Sequence, residues 1–181
     1  MGARIGILDA VPALSRPDLL AAPVIAALDS WPQALAAEVA VAEIDPDLAD
    51  TAAFCERYQV ALAESANCVV VEGRRGGESS YAACVVLATT RADVNGLVRR
   101  HLGARKASFA PMDYAVAETG MEYGGITPVG LPDAWPILVD AGVVAAGPVV
   151  IGSGVRRSKL IIAGTVLAGL PGAAVLHGLG R

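Results

Sequence analysis

The sequence predicts a single α/β (α+β) domain with a mixed, mostly antiparallel sheet and helices packed outside it. Length is the first observation, because 181 residues are the usual size of one domain. Composition is the second: 54% of the residues are hydrophobic and only 4% aromatic, so the core must consist mainly of Val, Ala, Leu and Ile. Such residues suit buried strands covered by Ala-rich helices. Third, the Val-rich segments are short and are joined by short turns, which favours antiparallel pairing.

In the first part of the chain, periodicity and capping residues predict the elements. An Ala/Leu-rich segment predicts a helix over residues 17–30, entered at Ser15 and disturbed by Pro23. Alternation of Val with small residues predicts a strand over residues 38–44. Asp50 is placed to cap the helix that follows it, its side-chain oxygen accepting from the free N–H groups of the first turn.

The remaining strands are predicted from Val-rich segments. They cover residues 67–72, 81–88, 106–110, 136–140, 148–152 and 159–162. The first two strands flank a glycine- and arginine-rich stretch, residues 73–77, which predicts a hairpin loop.

Two further helices are predicted between these strands. Thr90 and Asp93 have the spacing of a capping box, in an acidic variant, for a helix that ends at Gly103. Pro111 at a first helical position and Gly120 just past the end mark the other helix.

Residues 160–176 carry no charge and reach the lower length limit of a membrane span, about 17 residues. Glycines and the Pro171-Gly172 pair interrupt this segment, so a strand, a short helix, a turn and another strand fit it better. The N-terminus lacks a basic region followed by a clean apolar run, which argues against a signal peptide. We therefore expect a soluble, cytoplasmic protein.

Titratable side chains give little support for metal or acid–base chemistry. Cys55, Cys68 and Cys84 are widely spaced among apolar neighbours, as expected of buried thiols in a reducing compartment rather than of a disulfide framework or a metal site. His101 and His177 lie far apart, and no catalytic triad is visible. We expect no metal and no cofactor, so any chemistry must depend on backbone groups, water and the substrate.

Charge is unevenly distributed along the chain. Residues 1–73 carry 11 acidic and 3 basic side chains, whereas residues 74–181 carry 11 basic and 7 acidic ones. A basic half is consistent with a polyanionic partner, and simple solvation of the surface explains the same pattern.

Two glycine-rich turns are the strongest local indications of a binding site. Residues 124–130, Gly-Gly-Ile-Thr-Pro-Val-Gly, allow backbone groups to approach a ligand closely, although an ordinary tight turn is equally compatible. Residues 152–159 combine a glycine turn with three basic side chains, which suits an anion or, equally, a hairpin with a solvated basic face. Neither stretch matches the P-loop or the dinucleotide fingerprint, so a nucleoside triphosphate site is not favoured.

Several segments occur in the order found in a known family. They are residues 118–120, 123–130, 137–140 and 149–156, preceded by residues 67–71 and 101–106. Together they resemble the YbaK/prolyl-tRNA-synthetase-associated editing domain. The resemblance covers residues 50–177 and leaves residues 1–49 as an N-terminal extension that contributes a helix and a strand.

The resemblance implies a curved, barrel-like sheet and an aminoacyl-tRNA deacylase, which hydrolyses the ester of a small amino acid such as Ala or Cys on the tRNA for proline. Backbone groups of the 124–128 loop would hold the ester and a water, assisted by the terminal ribose hydroxyl of the tRNA. The residues implied to be catalytic are Gly124, Gly125, Thr127, Pro128 and Asn67. Those implied to bind the substrate are Cys68, Ile126, Gly130, Asp140, Gly152, Ser153, Gly154, Arg156 and Lys159.

The same resemblance implies mischarged tRNA as the partner, together with an aminoacyl-tRNA synthetase, and neither DNA nor a membrane. Basic side chains of the second half are candidates for phosphate contacts that would make binding salt-dependent. They are Arg74, Arg75, Arg99, Arg100, Arg105 and Lys106.

Asn67 departs from the family pattern, because many members carry a lysine there, followed by Thr or Ser. An amide lacks the charge of that lysine, and hydrogen bonds to charged groups contribute about 1.5–3 kcal/mol. Either Arg156 or Lys159 takes over the anchoring role, or the protein is a weakly active or inactive module that binds aminoacyl-tRNA, or it hydrolyses small esters unrelated to tRNA. A second departure is Lys159, where some members have an acid.

Overall fold

A computed structural model describes residues 5–181 of the protein. Most strands follow the Val-rich segments, and the shortest strand lies near the N-terminus. The strands are Ala10–Pro12 (β1), Ala40–Glu43 (β2), Ala66–Arg75 (β3), Glu78–Leu87 (β4), Lys106–Phe109 (β5), Ile137–Asp140 (β6), Pro148–Gly152 (β7), Ser158–Ala163 (β8) and Ala173–Leu176 (β9).

These strands form two sheets. The first has the order β1-β2-β8-β7 and is antiparallel throughout. The second has the order β5-β3-β4-β6-β9, with antiparallel pairing between β5, β3 and β4 and parallel pairing between β4, β6 and β9. A parallel bridge between Ser65 and Val150 joins the sheets. The predicted mixed α+β class is confirmed, with the strands divided between two sheets.

The turn between β3 and β4 is tighter than predicted. The predicted hairpin is present, but Gly73, Arg74 and Arg75 belong to β3 and not to its loop. Gly76 and Gly77 alone form the turn, with φ of +61° and +88°. Two consecutive residues with positive φ match the twist of the paired strands, and glycine adopts that conformation at little cost.

Short helices cover the sheets, and their bounds follow proline and glycine closely. They are Ala22–Ser30 (α1), Gln33–Ala36 (α2), Thr51–Tyr58 (α3), Arg99–His101 (α4), Met112–Thr119 (α5), Ala141–Ala145 (α6) and Gly164–Ala168 (α7). Pro111 and Gly120 flank α5 as predicted, and Gly120 adopts φ of +65°.

The predicted helix over residues 17–30 begins later, at Ala22. Pro23 occupies the first turn of α1, where its missing N–H costs nothing, so it starts the helix rather than disturbing it. Ser15 and Pro17 belong to two separate 3₁₀ turns, Ala13–Ser15 and Pro17–Leu19. The prediction that Ser15 begins the helix is therefore wrong.

Capping also differs from the prediction in two places. Asp50 precedes α3 as predicted, but its carboxylate accepts no N–H of that helix. Asp93 caps a π-helical turn, Val94–Val98, by accepting from the N–H of Leu97 at 2.9 Å. Thr90 instead donates to the carbonyl oxygen of Leu87, so the predicted Thr90–Asp93 capping box is not formed.

The hydrophobic core lies between the sheets. Its largest cluster combines Leu28 of α1, Val41 of β2, Val85 of β4 and Leu160 of β8, all almost completely buried. The segment 160–176 folds as predicted into β8, α7, a turn containing Pro171-Gly172 and β9. Among residues 5–181, no helix has the length and apolar character needed to traverse a bilayer.

Candidate functional site

A cavity of about 530 Å³ opens where β3 and β7 diverge beyond the Ser65–Val150 bridge. Its walls are the beginning of β3, the end of β7, the beginning of α3 and part of the glycine loop. Three segments predicted from sequence to contain site residues, those around Asn67, Gly124 and Gly152, therefore line the same cavity. Ile126 and Lys159 lie in its walls as well.

One wall of the cavity is a strand edge without a neighbouring strand. β5 pairs with β3 only from Val71 to Arg74, and the other sheet touches this edge only at Ser65. Of residues 67–69, Cys68 directs its backbone N–H and C=O to this edge and has no strand partner there, whereas Asn67 and Val69 direct theirs to β4. Unpaired backbone N–H and C=O groups are strong hydrogen-bonding groups, so this edge can bind the polar atoms of a ligand.

The two glycine turns pack against each other at the opposite wall. A Cβ atom at Gly152 would lie 2.7 Å from the carbonyl oxygen of Ile126 and still closer to that of Gly125. The N–H of Gly154 donates to the carbonyl oxygen of Gly125 at 2.8 Å. Glycine is required at Gly152 because only a residue without a side chain permits this approach. The loop backbone is thereby fixed against the end of β7.

Asn67 connects β3 to α3. Thr51 donates its hydroxyl hydrogen to the side-chain oxygen of Asn67, at 2.8 Å. The neighbouring Cys68 lies in the cavity wall, and burial, followed by the nearby Cys84, raises the pKa of its thiol. A thiol that keeps its proton is a poor nucleophile, so Cys68 provides apolar surface to the cavity.

Lys159 is the buried cation of the site. It is 9% exposed, and its ammonium donates to the carbonyl oxygen of Ala49 at 2.9 Å and lies 5.3 Å from the ring centroid of Phe54. In the described part of the chain, no carboxylate forms an ion pair with it. Burial lowers the pKa of this lysine, and the positive charge of Arg156 lowers it further. A buried cation without a carboxylate retains donors for an electron-rich group of a ligand.

This lowered pKa predicts how stability changes with pH. The unfolded chain keeps the Lys159 proton up to its usual pKa of 10.5, whereas the folded protein releases it at lower pH, so stability rises with pH between the two values. We expect Lys159→Met to remove this effect. Urea unfolding of both proteins from pH 7 to pH 10 should show wild type gaining stability relative to the variant as the pH rises. A relative loss by wild type would contradict the predicted direction.

Arg156 spans the mouth of the cavity. Its guanidinium donates to the carbonyl oxygens of Tyr123 at 3.3 Å and Pro46 at 3.1 Å, and it lies 3.9 Å from the carboxylate of Asp50. The guanidinium also covers Gly124, whose φ is +82°. Arg156 thus links the glycine loop to the segment before α3 and lies beside the entrance without belonging to the cavity wall.

Several residues predicted to bind substrate have other contacts. The Ser153 hydroxyl bonds to that of Ser158 at 2.7 Å and fixes the turn between β7 and β8. Asp140 accepts the N–H groups of Gly142 and Gly180, both at 3.0 Å, and so caps α6 and ties down the C-terminal segment. Neither side chain lies in the cavity wall, and contact of Ser153 or Asp140 with a ligand stays a prediction.

Other predicted residues of the glycine turns pack against the rest of the fold rather than lining the cavity. A Cβ at Gly130 would overlap the backbone of α1 at Pro23, and one at Gly154 would overlap the side chain of Ala21. Thr127 and Pro128 are buried, and within residues 5–181 the Thr127 hydroxyl has no hydrogen-bond partner. These four residues are not part of the cavity wall, and their predicted roles toward a ligand stay predictions.

Four of the six predicted tRNA-binding residues lie at the far end of β3. There, Arg74, Arg75, Arg105 and Lys106 line a second pocket, of about 410 Å³, which we call the basic pocket. Arg74 pairs with the buried Glu72 at 2.8 Å, so its charge is largely compensated. Arg75 donates to the carbonyl oxygen of Gly103, just after α4, the helix that contains Arg99 and Arg100.

Sequence reasoning missed several residues of the cavity between β3 and β7. Thr51 and Phe54 lie one helical turn apart on α3 and face it together, and Phe109, Met112 and Tyr123 surround its mouth. The spacing of Thr51 and Phe54 would have placed both on one helix face. Large apolar side chains at exposed positions are a general indication of a binding surface, but exposure cannot be read from the sequence.

Comparisons with known proteins concern the family and the fold of the chain. Residues 45–170 match the sequence model of a family described as "Aminoacyl-tRNA editing domain". No curated protein matches the chain. One similar solved structure is a candidate trans-editing enzyme for prolyl tRNA synthetase, with 20% identity, a TM-score of 0.72, and coverage of 88% of this chain and 95% of the other.

Two further structures show the same fold. A scaffold protein used in computational epitope grafting has 22% identity and a TM-score of 0.72, with coverage of 89% of this chain and 97% of the other. A hypothetical protein has 20% identity and a TM-score of 0.73, with coverage of 86% and 99%. At these identities the three structures establish the fold only. The assignment to a family rests on the sequence match over residues 45–170.

Proposed function

Because the chain belongs to the aminoacyl-tRNA editing domain family, we propose that it is a deacylase that hydrolyses the ester bond of mischarged tRNA. Its substrate would be a small amino acid such as Ala or Cys, on the tRNA for proline or a similar tRNA. The observation that supports this proposal most directly is the cavity between β3 and β7, where the strand edge at Asn67, the glycine loop and Lys159 meet.

The cavity offers the groups that ester hydrolysis requires. Water attacks the ester carbonyl carbon, the bond from that carbon to the ribose oxygen breaks, and the ribose oxygen takes up a proton. Negative charge develops on the carbonyl oxygen during the attack, and fixed N–H donors and a cation stabilise it. The backbone N–H of Cys68 and those of Gly124 and Ile126, with the ammonium of Lys159, supply such donors without a protein nucleophile.

Lys159 supports the proposal despite the amide at Asn67. The family's lysine is absent at the start of β3, but a cation reaches the same cavity from β8. In this proposal the positive charge of the cavity comes from Lys159 on β8 rather than from a lysine on β3. Asn67 then serves to hold α3 against β3 through its hydrogen bond with Thr51.

A panel of mischarged tRNAs tests the activity. The tRNA for proline carrying Ala, Cys, Ser or Pro, and other tRNAs carrying the same amino acids, are incubated with the protein and the released amino acid is measured. We expect release of a small non-cognate amino acid and retention of Pro. No release from any member, at protein concentrations equal to that of the substrate, would refute the deacylase proposal.

A second candidate, a binding module without turnover, is favoured by a single observation, the amide at Asn67 in place of the family's lysine. Asn67→Lys separates the two possibilities. If wild type binds aminoacyl-tRNA without hydrolysis and Asn67→Lys gains hydrolysis, the protein is a binding module. If wild type hydrolyses the ester and the variant is no faster, Lys159 already supplies the cation.

For binding of the tRNA backbone, we predict that Arg105→Gln combined with Lys106→Gln weakens affinity and flattens its salt dependence. Both side chains are exposed in the basic pocket, where each can neutralise one phosphate and release one counterion. The slope of log Kd against log salt should decrease by about 2, measured by titration of labelled tRNA. Arg91→Gln, an exposed arginine outside the basic pocket, is the control and should leave both quantities unchanged.

A further inference from the structure

Three large apolar side chains are exposed at the mouth of the cavity. Phe109 is 64% exposed, Tyr123 60% and Met112 50%, and all three are part of the cavity wall. Among residues 5–181, neither Phe109 nor Tyr123 packs against another aromatic ring. Exposed aromatic faces at the entrance to a cavity indicate a binding surface rather than core packing.

β5 connects this surface to the basic pocket. It runs antiparallel to β3, with Lys106 opposite Arg74 in the basic pocket and Phe109 opposite Val71 near the cavity. Three residue steps separate Lys106 from Phe109, a distance of about 10 Å along an extended strand. This is an odd number of steps, so the two side chains project from opposite faces of β5, and an RNA strand that crosses this sheet edge could contact both.

We propose that Phe109 and Tyr123 form a stacking site for unpaired nucleobases at the 3′ end of an RNA. This inference rests on the proposed function, because the same RNA end would place its aminoacyl ester in the cavity. Every nucleobase has a π-face, and aromatic side chains that flank a basic groove bind single strands by stacking. An RNA is favoured over a protein partner because Arg105 and Lys106 of the basic pocket lie at the other end of β5 and can contact phosphates.

The test uses an RNA that carries no amino acid, so that binding is measured apart from deacylation. The probe is an RNA hairpin with a four-nucleotide single-stranded 3′ end and 2-aminopurine at its terminal position. We expect the protein to quench 2-aminopurine fluorescence and Phe109→Ala or Tyr123→Ala to raise the Kd at least about fivefold. Phe109→Trp should retain quenching. Val175→Ala removes an apolar side chain that is 43% exposed on β9, outside the cavity wall, and should bind as wild type does.

Each outcome decides the proposal. Unchanged Kd and quenching in Phe109→Ala and Tyr123→Ala would overturn it, as would equal affinity for a blunt-ended duplex. Dimerisation of wild type that Phe109→Ala abolishes, measured by sedimentation, would show a second copy on this surface and would also overturn it. If no mischarged tRNA is hydrolysed but the two alanine variants still lose RNA binding, the stacking site stands and the deacylase proposal alone fails.

Discussion

Gly152→Ala is expected to reduce deacylation about 100-fold and to lower the free energy of unfolding by about 3 kcal/mol. The added Cβ would overlap the carbonyl oxygens of Gly125 and Ile126, and neither backbone group can rotate away as a side chain could. Overpacking of this kind usually costs about 1–3 kcal/mol. Relief of the overlap must push the glycine loop away from β7, and a displacement of about 1 Å in groups that position a substrate can cost about 100-fold in rate.

Gly169→Ala is the matched control for this substitution. Gly169 ends α7 with φ of −92°, and a Cβ there would lie 3.5 Å from the carbonyl oxygen of Val166, an ordinary contact. Replacing a glycine whose backbone suits alanine usually stabilises a protein by about 0.4–1 kcal/mol, because the unfolded chain loses freedom. Urea unfolding measures stability, and kcat/KM on a mischarged tRNA measures activity. If Gly152→Ala and Gly169→Ala had equal stability and equal kcat/KM, the contact between the glycine turns would be needed for neither stability nor activity.

Local signals in the sequence were sufficient for many of the elements. Pro111 and Gly120 act within one helix, and the breaks after β8 lie in adjacent residues, so their effects depend little on the rest of the fold. Capping by acidic residues was less predictable. Asp50 and Asp93 both precede helical turns, but only the carboxylate of Asp93 accepts an N–H there, because side-chain direction depends on surrounding tertiary contacts.

The site was predictable to the extent that it depends on backbone. The glycine loop and Gly152 were predicted from resemblance and from the need for close approach, and the structure brings them together. Ser153 and Asp140 show the limit of that reasoning. Their polar groups satisfy backbone and side-chain partners within the fold, and a sequence does not reveal whether a polar group faces a ligand or an internal partner.

The environment of Lys159 could not have been predicted from the sequence at all. Its hydrogen bond to Ala49 joins residues 110 positions apart, and Phe54 reaches it from a helix between them. In the sequence it is one of three basic residues near a glycine turn. In the structure Arg156 lies at the cavity mouth, Arg157 donates to the carbonyl oxygen of Asp18 on the surface, and Lys159 alone of the three enters the cavity wall.

Lys159→Met is therefore expected to reduce kcat/KM by about tenfold to 100-fold without a loss of stability at neutral pH. A hydrogen bond to a charged group contributes about 1.5–3 kcal/mol, and this contribution is lost in the transition state. Methionine fills nearly the same volume, and burial of the ammonium already opposes folding, as its lowered pKa shows. Lys106→Met, an exposed lysine in the basic pocket, is the matched control: it should affect tRNA affinity but not the single-turnover rate at saturation.

Opposite effects on activity and stability are what distinguish a functional lysine from a structural one. A lysine retained for folding would, when replaced, lower the free energy of unfolding, and activity would fall only with the folded fraction. A lysine retained for the reaction imposes a cost on the folded state, because its charge is buried without a carboxylate, and the substrate provides the missing partner. Parallel losses of stability and single-turnover rate in Lys159→Met would assign the cation to the fold, and the donors for the ester would then be backbone groups alone.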